Sequence, residues 1–225
     1  DWHVKSSRAS EAIEPLMRML NPWRLLLLFV IAGCATRFML DRMQTGAFLG
    51  SRTWRLLPPL LLAMFVIVPP QTWYEIVEKL NYSGTPGEFY HSYVTMSGGW
   101  SLITPTWNHM WFVAYLLVYT LMLPPMAPFP TRIPGAGWML HPALLVGGPW
   151  LVLSAYRFLL APFFPETHAL AGDWYSHAIY FSGFLFGYCV ARSDGFFAAC
   201  ARNRRSFALI GLAAWLALEW WRASG

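Results

Sequence analysis

The sequence predicts an all-α protein, a polytopic bundle of transmembrane helices, and three observations carry that prediction. Of the 225 residues, 56% are hydrophobic and only 12% are charged. Soluble domains carry about 25% charged residues, so this chain has too little charge to clothe a water-facing surface. It is rich in rings, with 13 Trp, 10 Tyr and 16 Phe, the residues that form aromatic belts at membrane interfaces. Its apolar residues also run on without a break over stretches of about 20, the length at which a helix crosses a bilayer. Barrel strands would instead alternate inward and outward over segments of ~10 residues. The formal charge of +5 does not indicate nucleic acid, because the basic residues are scattered between apolar blocks and no nucleic-acid motif occurs. The apolar content excludes disorder.

Six stretches qualify as spanning segments in chain order: 22–40, 56–74, 109–127, 138–161, 174–191 and 206–221. A helix satisfies its backbone polar groups internally, which the bilayer demands. Pro58-Pro59, Pro69-Pro70 and Pro124-Pro125 are expected near segment ends, where a missing amide is easiest to absorb. Lys and Arg set the orientation. Arg42, Arg52 and Arg55 lie in the loop between the first two segments with Arg37 just before it, Arg132 lies in a later connection, and Arg192, Arg202, Arg204 and Arg205 lie between the last two. By the positive-inside rule these face the cytoplasm. The 75–107 loop, with Lys79 against Glu75, Glu78 and Glu88, and the 162–173 loop, with no Lys or Arg, then face outward. Residues 1–21, with Lys5, Arg8 and Arg18, are placed outside by parity alone.

The three cysteines, Cys34, Cys189 and Cys200, have neither metal-like nor redox-like spacing. No grouping of His, Asp and Glu suggests a metal. There is no nucleophile elbow, phosphate-cradling glycine loop or dinucleotide fingerprint. The chain begins at Asp1 without a methionine and stops just after an apolar segment, which reads as an internal piece of a larger protein.

Three ordered stretches go beyond a generic membrane protein. They are DWHVKSSRASEAIEP leading into PWRLLLLFVIAGCATRFML, then SRTWRLLPPLLLAM at 51–64, then NHMWFVAYLLVY at 108–119. Together they resemble the bacterial integral-membrane acyltransferase 3 family, and most closely its branch that decorates periplasmic glucans with succinyl groups. The resemblance covers roughly residues 1–120, and beyond that rests on hydropathy and on YFSGFLFGY at 180–188. It implies an inner-membrane, multi-pass enzyme with no bound cofactor. Such an enzyme moves an acyl group from a cytoplasmic thioester such as acyl-CoA to a hydroxyl of an extracytoplasmic carbohydrate. Residues 1–225 would be a partial acyltransferase domain, lacking the family's first helix and its C-terminal helices. The catalytic His of that first helix is absent, and Ala32-Gly33-Cys34 keeps the glycine but loses the hydroxyl of the family's Ser-Gly pattern.

The family's Arg-x-x-Arg matches Arg52 and Arg55. Either residue alone is explained by snorkelling to lipid phosphates. As a pair one turn apart, planar guanidinium groups suit the phosphates of an acyl-CoA better than lysines would. Arg37, thirteen or more residues into an apolar run, is a third donor-binding candidate, because ionisable groups in spanning helices usually face an interior or a watery cavity. The family's His-x-Trp-Phe matches His109, Trp111 and Phe112. His109 is the catalytic candidate, since imidazole titrates near pH 6.5, although an interfacial His beside belt aromatics explains it equally well. Asn108 and Trp111 are acceptor-side candidates, Asn108 as a donor to a developing oxyanion. His3, His141, His177 and Arg157 read better as exposed, packed or snorkelling residues. The expected partners are lipid bilayer, acyl donor and carbohydrate acceptor. A transporter or flippase is the alternative, weakened by the lack of an internal repeat.

Overall fold

A computed structural model describes residues 14–99, 104–126 and 141–224, and all the regular structure among them is helical. The opening motif before Glu14, with His3, and Arg132 lie outside the described residues. The helices are α1 (Glu14–Leu40), α2 (Thr45–Leu62), α3 (Val68–Leu80), α4 (Pro86–Thr95), α5 (Trp111–Met126), α6 (Pro142–Leu159), α7 (Trp174–Val190) and α8 (Asp194–Ser224). A π-helical turn, Ala63–Ile67, joins α2 to α3, and a 3₁₀ turn, Asn108–Met110, leads into α5.

Among the described residues, three helical runs are long and apolar enough to cross a membrane: Glu14–Leu40, Thr45–Leu80 and Pro142–Leu159. The other expected stretches are also helical, but α5 and α7 have 16 and 17 residues, short of the roughly 20 that span a bilayer. The first half of α8 holds Arg202, Arg204 and Arg205. Lateral faces carry rings and branched side chains outward, among them Trp150, Leu151 and Phe158 on α6 and Leu209, Ile210 and Trp220 on α8. Exposed apolar surface on this scale calls for a hydrocarbon solvent.

The prolines differ from the sequence expectation. Pro58-Pro59 lies inside α2, and Pro69-Pro70 lies inside a continuous 36-residue run, Thr45–Leu80. The run survives because its register changes. The Val68 amide donates to the Ala63 carbonyl, five residues back. In that register the next carbonyls, Met64 and Phe65, await the amides of residues 69 and 70, and proline has none. Two hydroxyls on α4 take their place: Tyr93 donates to Met64 O at 3.0 Å and Tyr90 to Phe65 O at 3.1 Å. Arg52 and Arg55, expected on a loop, are helical residues of α2. The connection after α1 is only residues 41–44, because α2 starts at Thr45, eleven residues before the expected segment.

The described chain forms two compact units, 45–121 and 14–44 with 122–224. In the first, α4 opens on a capping box: the Glu88 amide donates to Thr85 Oγ1 at 3.3 Å, and the Thr85 amide to Glu88 Oε2 at 2.8 Å. Pro86 sits in the first turn, where its missing amide costs nothing. Phe89 and Tyr93 then bury against Ile76 of α3, with Trp73 and Tyr82 packed around them. In the second unit α1 and α7 run parallel. A Cβ on Gly33 would stand 1.9 Å from Phe184 O, and one on Gly187 would stand 2.0 Å from Val30 O. Gly183 and Gly187 form a G-x-x-x-G pair, whose lack of side chains lets two backbones meet. Asp41 closes this seam, pairing with Arg37 at 3.5 Å and with Arg192. α8 runs back antiparallel to α1, so that Glu219 near its end meets Arg18 near the start of α1 at 3.4 Å.

Candidate functional site

The break in the α2–α3 run creates a concavity. A cavity of about 260 Å³ is lined by Pro59, Leu62, Ala63, Ile67, Val68 and Gln71 of the run and by His109 and Met110 of the 3₁₀ turn. Prolines cause it twice over. Pro59 puts a ring in place of an amide, and Pro69-Pro70 enforces the π register that widens the helix at Ala63–Ile67. Such widenings are frequent at functional sites. Gln71 and His109 are the two polar side chains in an otherwise apolar lining.

The opposite wall is the turn that carries His109. Asn108 adopts φ 42°, a left-handed conformation that asparagine tolerates better than most residues, and its amide donates to Thr106 Oγ1 at 3.2 Å. The Thr106 amide in turn donates to the Tyr93 hydroxyl at 3.1 Å, and Thr106 O lies 3.2 Å from the same hydroxyl. Tyr93 therefore ties the π turn, α4 and the segment before His109 to one oxygen. Burial pushes this hydroxyl up from the ordinary phenol value, partly offset by the Thr106 amide. It remains a protonated donor throughout the physiological range.

The predicted residues separate into three places. His109 is exposed and lines the cavity, with Asn108 beside it in the same turn. Trp111 is 9% exposed and packs edge-on against Tyr115 at 5.3 Å; Tyr115 packs likewise on Tyr119 at 5.9 Å. The ring thus anchors the turn to α5 and offers little surface to an acceptor. Arg52 and Arg55 lie one turn apart on α2. Arg52 is half-buried with its guanidinium 5.8 Å from the centre of the Phe48 ring, and Arg55 is exposed. Arg37 belongs to the other unit, where its guanidinium donates to the Tyr188 hydroxyl at 3.0 Å and lies over that ring.

Compared with family models, curated proteins and solved structures, the chain matches none.

Along the run, Arg55 and Glu75 are twenty residues apart, about 30 Å at 1.5 Å per residue. That is the thickness of a bilayer's hydrocarbon core. The Arg pair and the Glu75–Lys79 pair, the latter joined at 2.8 Å, are thus separated along one run by a bilayer's hydrocarbon thickness, with the cavity lining from Pro59 to Gln71 centred between them. Gln71, Tyr90, Tyr93 and the Gly183/Gly187 pair escaped the sequence reading. The glycine spacing and the diproline were readable signals, whereas the hydroxyls that serve the diproline come from a helix twenty residues away. Among the described residues, no group of His, Cys, Asp and Glu assembles a metal site. His141 caps α6, its Nδ1 accepting from the Ala143 amide at 3.3 Å, and His177 Nε2 lies 3.0 Å from Leu170 O.

Proposed function

We propose that this chain is part of a membrane-bound O-acyltransferase of the bacterial inner membrane. It would move an acyl group from a cytoplasmic thioester such as acyl-CoA to a hydroxyl of an extracytoplasmic carbohydrate. The resemblance favours a periplasmic glucan as acceptor, and all six apolar stretches then cross the bilayer. One observation carries the reading. A single helical run, widened at its prolines, has a guanidinium pair toward one end and, lined from Pro59 to Gln71 further along it, an apolar cavity edged by a histidine.

The chemistry needs no resident cofactor. A base takes the proton of the acceptor hydroxyl, and its oxygen attacks the thioester carbonyl. The tetrahedral intermediate collapses with cleavage of the carbon–sulfur bond, and the thiolate recovers the proton from the base. Positioning two substrates so that they meet is itself worth several kcal/mol, up to about 10 in the best cases. Arg52 and Arg55 hold the donor's phosphates; Arg37, bonded to Tyr188 and Asp41 in the other unit, takes no part in this reading. His109 accepts or positions the hydroxyl proton, and Asn108 donates to the developing oxyanion. Trp111 acts by fixing their turn to α5. The first-helix histidine implied by the family resemblance would supply a second base.

The test uses full-length protein in proteoliposomes, with radiolabelled acyl-CoA on the Arg-rich side and glucan on the other. Label reaching glucan with the wild type, and falling at least a hundredfold in Arg52→Gln/Arg55→Gln and in His109→Ala, supports the reading. Glucan or lipid crossing the bilayer without label transfer refutes it in favour of a transporter.

A further inference from the structure

The cavity beside His109 has walls whose chemistry selects its occupant. Pro59, Leu62, Ala63, Ile67, Val68 and Met110 present only hydrocarbon and a thioether, and among the described residues neither Lys nor Arg lines it. A carboxylate moved into such a place loses its hydration and gains no fixed cation, which is costly. Gln71 and His109 are the polar exceptions at its edge. The volume, about 260 Å³, compares with the 150 Å³ or so of an apolar engineered cavity that holds benzene. A short hydrocarbon chain fits, and its carbonyl end would lie at the polar edge with His109.

We propose that this cavity is the acyl-chain pocket of the transferase and that the group transferred is an uncharged acyl chain of about four to six carbons, not a dicarboxylic one such as succinyl. The inference rests on the acyltransferase reading and departs from the succinyl branch that the sequence resembles. Selectivity is set by the π turn: Ala63 is 2% exposed at its start, so a larger residue there intrudes on the pocket, and Ile67 at its end lines it.

The occupant's source is the donor thioester. The competing source of the same chemistry is a bilayer lipid tail, because several lining residues are exposed on the lateral face. Two measurements on full-length protein in proteoliposomes separate these. The first compares transfer from acetyl-, butyryl-, hexanoyl- and succinyl-CoA. The second measures binding of non-reactive thioether analogues of the same four, which requires no turnover. Each buried methylene raises affinity about fourfold. The butyryl analogue should therefore bind about fifteenfold tighter than acetyl, and succinyl at least tenfold weaker than butyryl.

Ala63→Leu should cost hexanoyl at least tenfold while sparing acetyl. Ile67→Ala, at an exposed position that folding tolerates, should move the optimum to longer chains. Chain-length preference in binding without transfer keeps the pocket and overturns the transferase. Transfer with succinyl equal to or better than butyryl, or with a preference that neither variant moves, overturns the pocket. So does a photoreactive lipid tail that labels Ile67 and is not displaced by the hexanoyl analogue.

Discussion

At the residue scale, one oxygen holds much of the candidate site together. The Tyr93 hydroxyl donates to Met64 O and accepts from the Thr106 amide, so it serves the broken helix and the segment before His109 at once. Tyr93→Phe keeps the ring among Ile76 and Phe89 but leaves both partners without it. A buried polar group so abandoned costs about 1–3 kcal/mol. Thermal unfolding in detergent should show a loss in that range, and an unchanged midpoint would mean water replaces the hydroxyl. Tyr90→Phe, at the exposed edge, should cost less.

Glu88 provides a pH test at the same scale. Hydrogen bonds from the Thr85 backbone and side chain hold its carboxyl below the ordinary glutamate value of 4.5. A lowered folded value means the cap's contribution is complete above the unfolded value and is lost as pH falls through the folded one. Amide exchange in α4, corrected for intrinsic rates, should therefore accelerate from about pH 4.5 downward in the wild type. In Glu88→Gln, which cannot titrate, that pH dependence should disappear.

At the element scale, α1 and α7 approach backbone to backbone because glycine leaves room at three crossings. A Cβ at Gly33 would meet the Phe184 carbonyl at 1.9 Å, and neither partner is a movable side-chain end. Gly33→Ala should cost about 3 kcal/mol, the upper end of ordinary overpacking. It should also lower the yield of an engineered disulfide across the seam. Gly147 in α6 is the internal control, with nothing within 4 Å of the place a methyl would take. Gly147→Ala should stabilise by ~0.5–1 kcal/mol, because glycine in a helix interior is entropically costly. Equal effects at the two positions would refute the tight crossing. The Cys34 thiol, donating to Gly187 O at 3.1 Å, explains why a small residue suits that face of α1 without invoking redox chemistry.

At the scale of the whole molecule, the run that holds Arg55 and Glu75 is long and apolar enough to cross a bilayer, and the proposed reaction needs its two ends to face opposite compartments. Arg55→Cys and His91→Cys should react with a membrane-impermeant maleimide from opposite sides of oriented vesicles. Reaction of both from one side would remove the span and, with it, the separation of donor and acceptor ends that the proposed reaction needs.

What the sequence determined by itself was the class of solvent and the positions of the helices. Charge content and uninterrupted apolar runs are one-dimensional quantities, and a bilayer reads them almost directly. The six stretches accordingly fall largely in helix, three of them in runs of spanning length. His109 and the Arg52/Arg55 pair stood out because their residue types carry chemistry at a marked spacing. Only the tertiary structure decided that Pro69-Pro70 widens a continuous helix instead of ending one, because the Tyr90 and Tyr93 donors that satisfy its stranded carbonyls lie on a different helix. The same fold turned Trp111 inward, gave Arg37 to Tyr188 and Asp41, and opened a cavity beside His109. Each of these depends on which distant residue fills a vacancy, and local pattern carries no record of that.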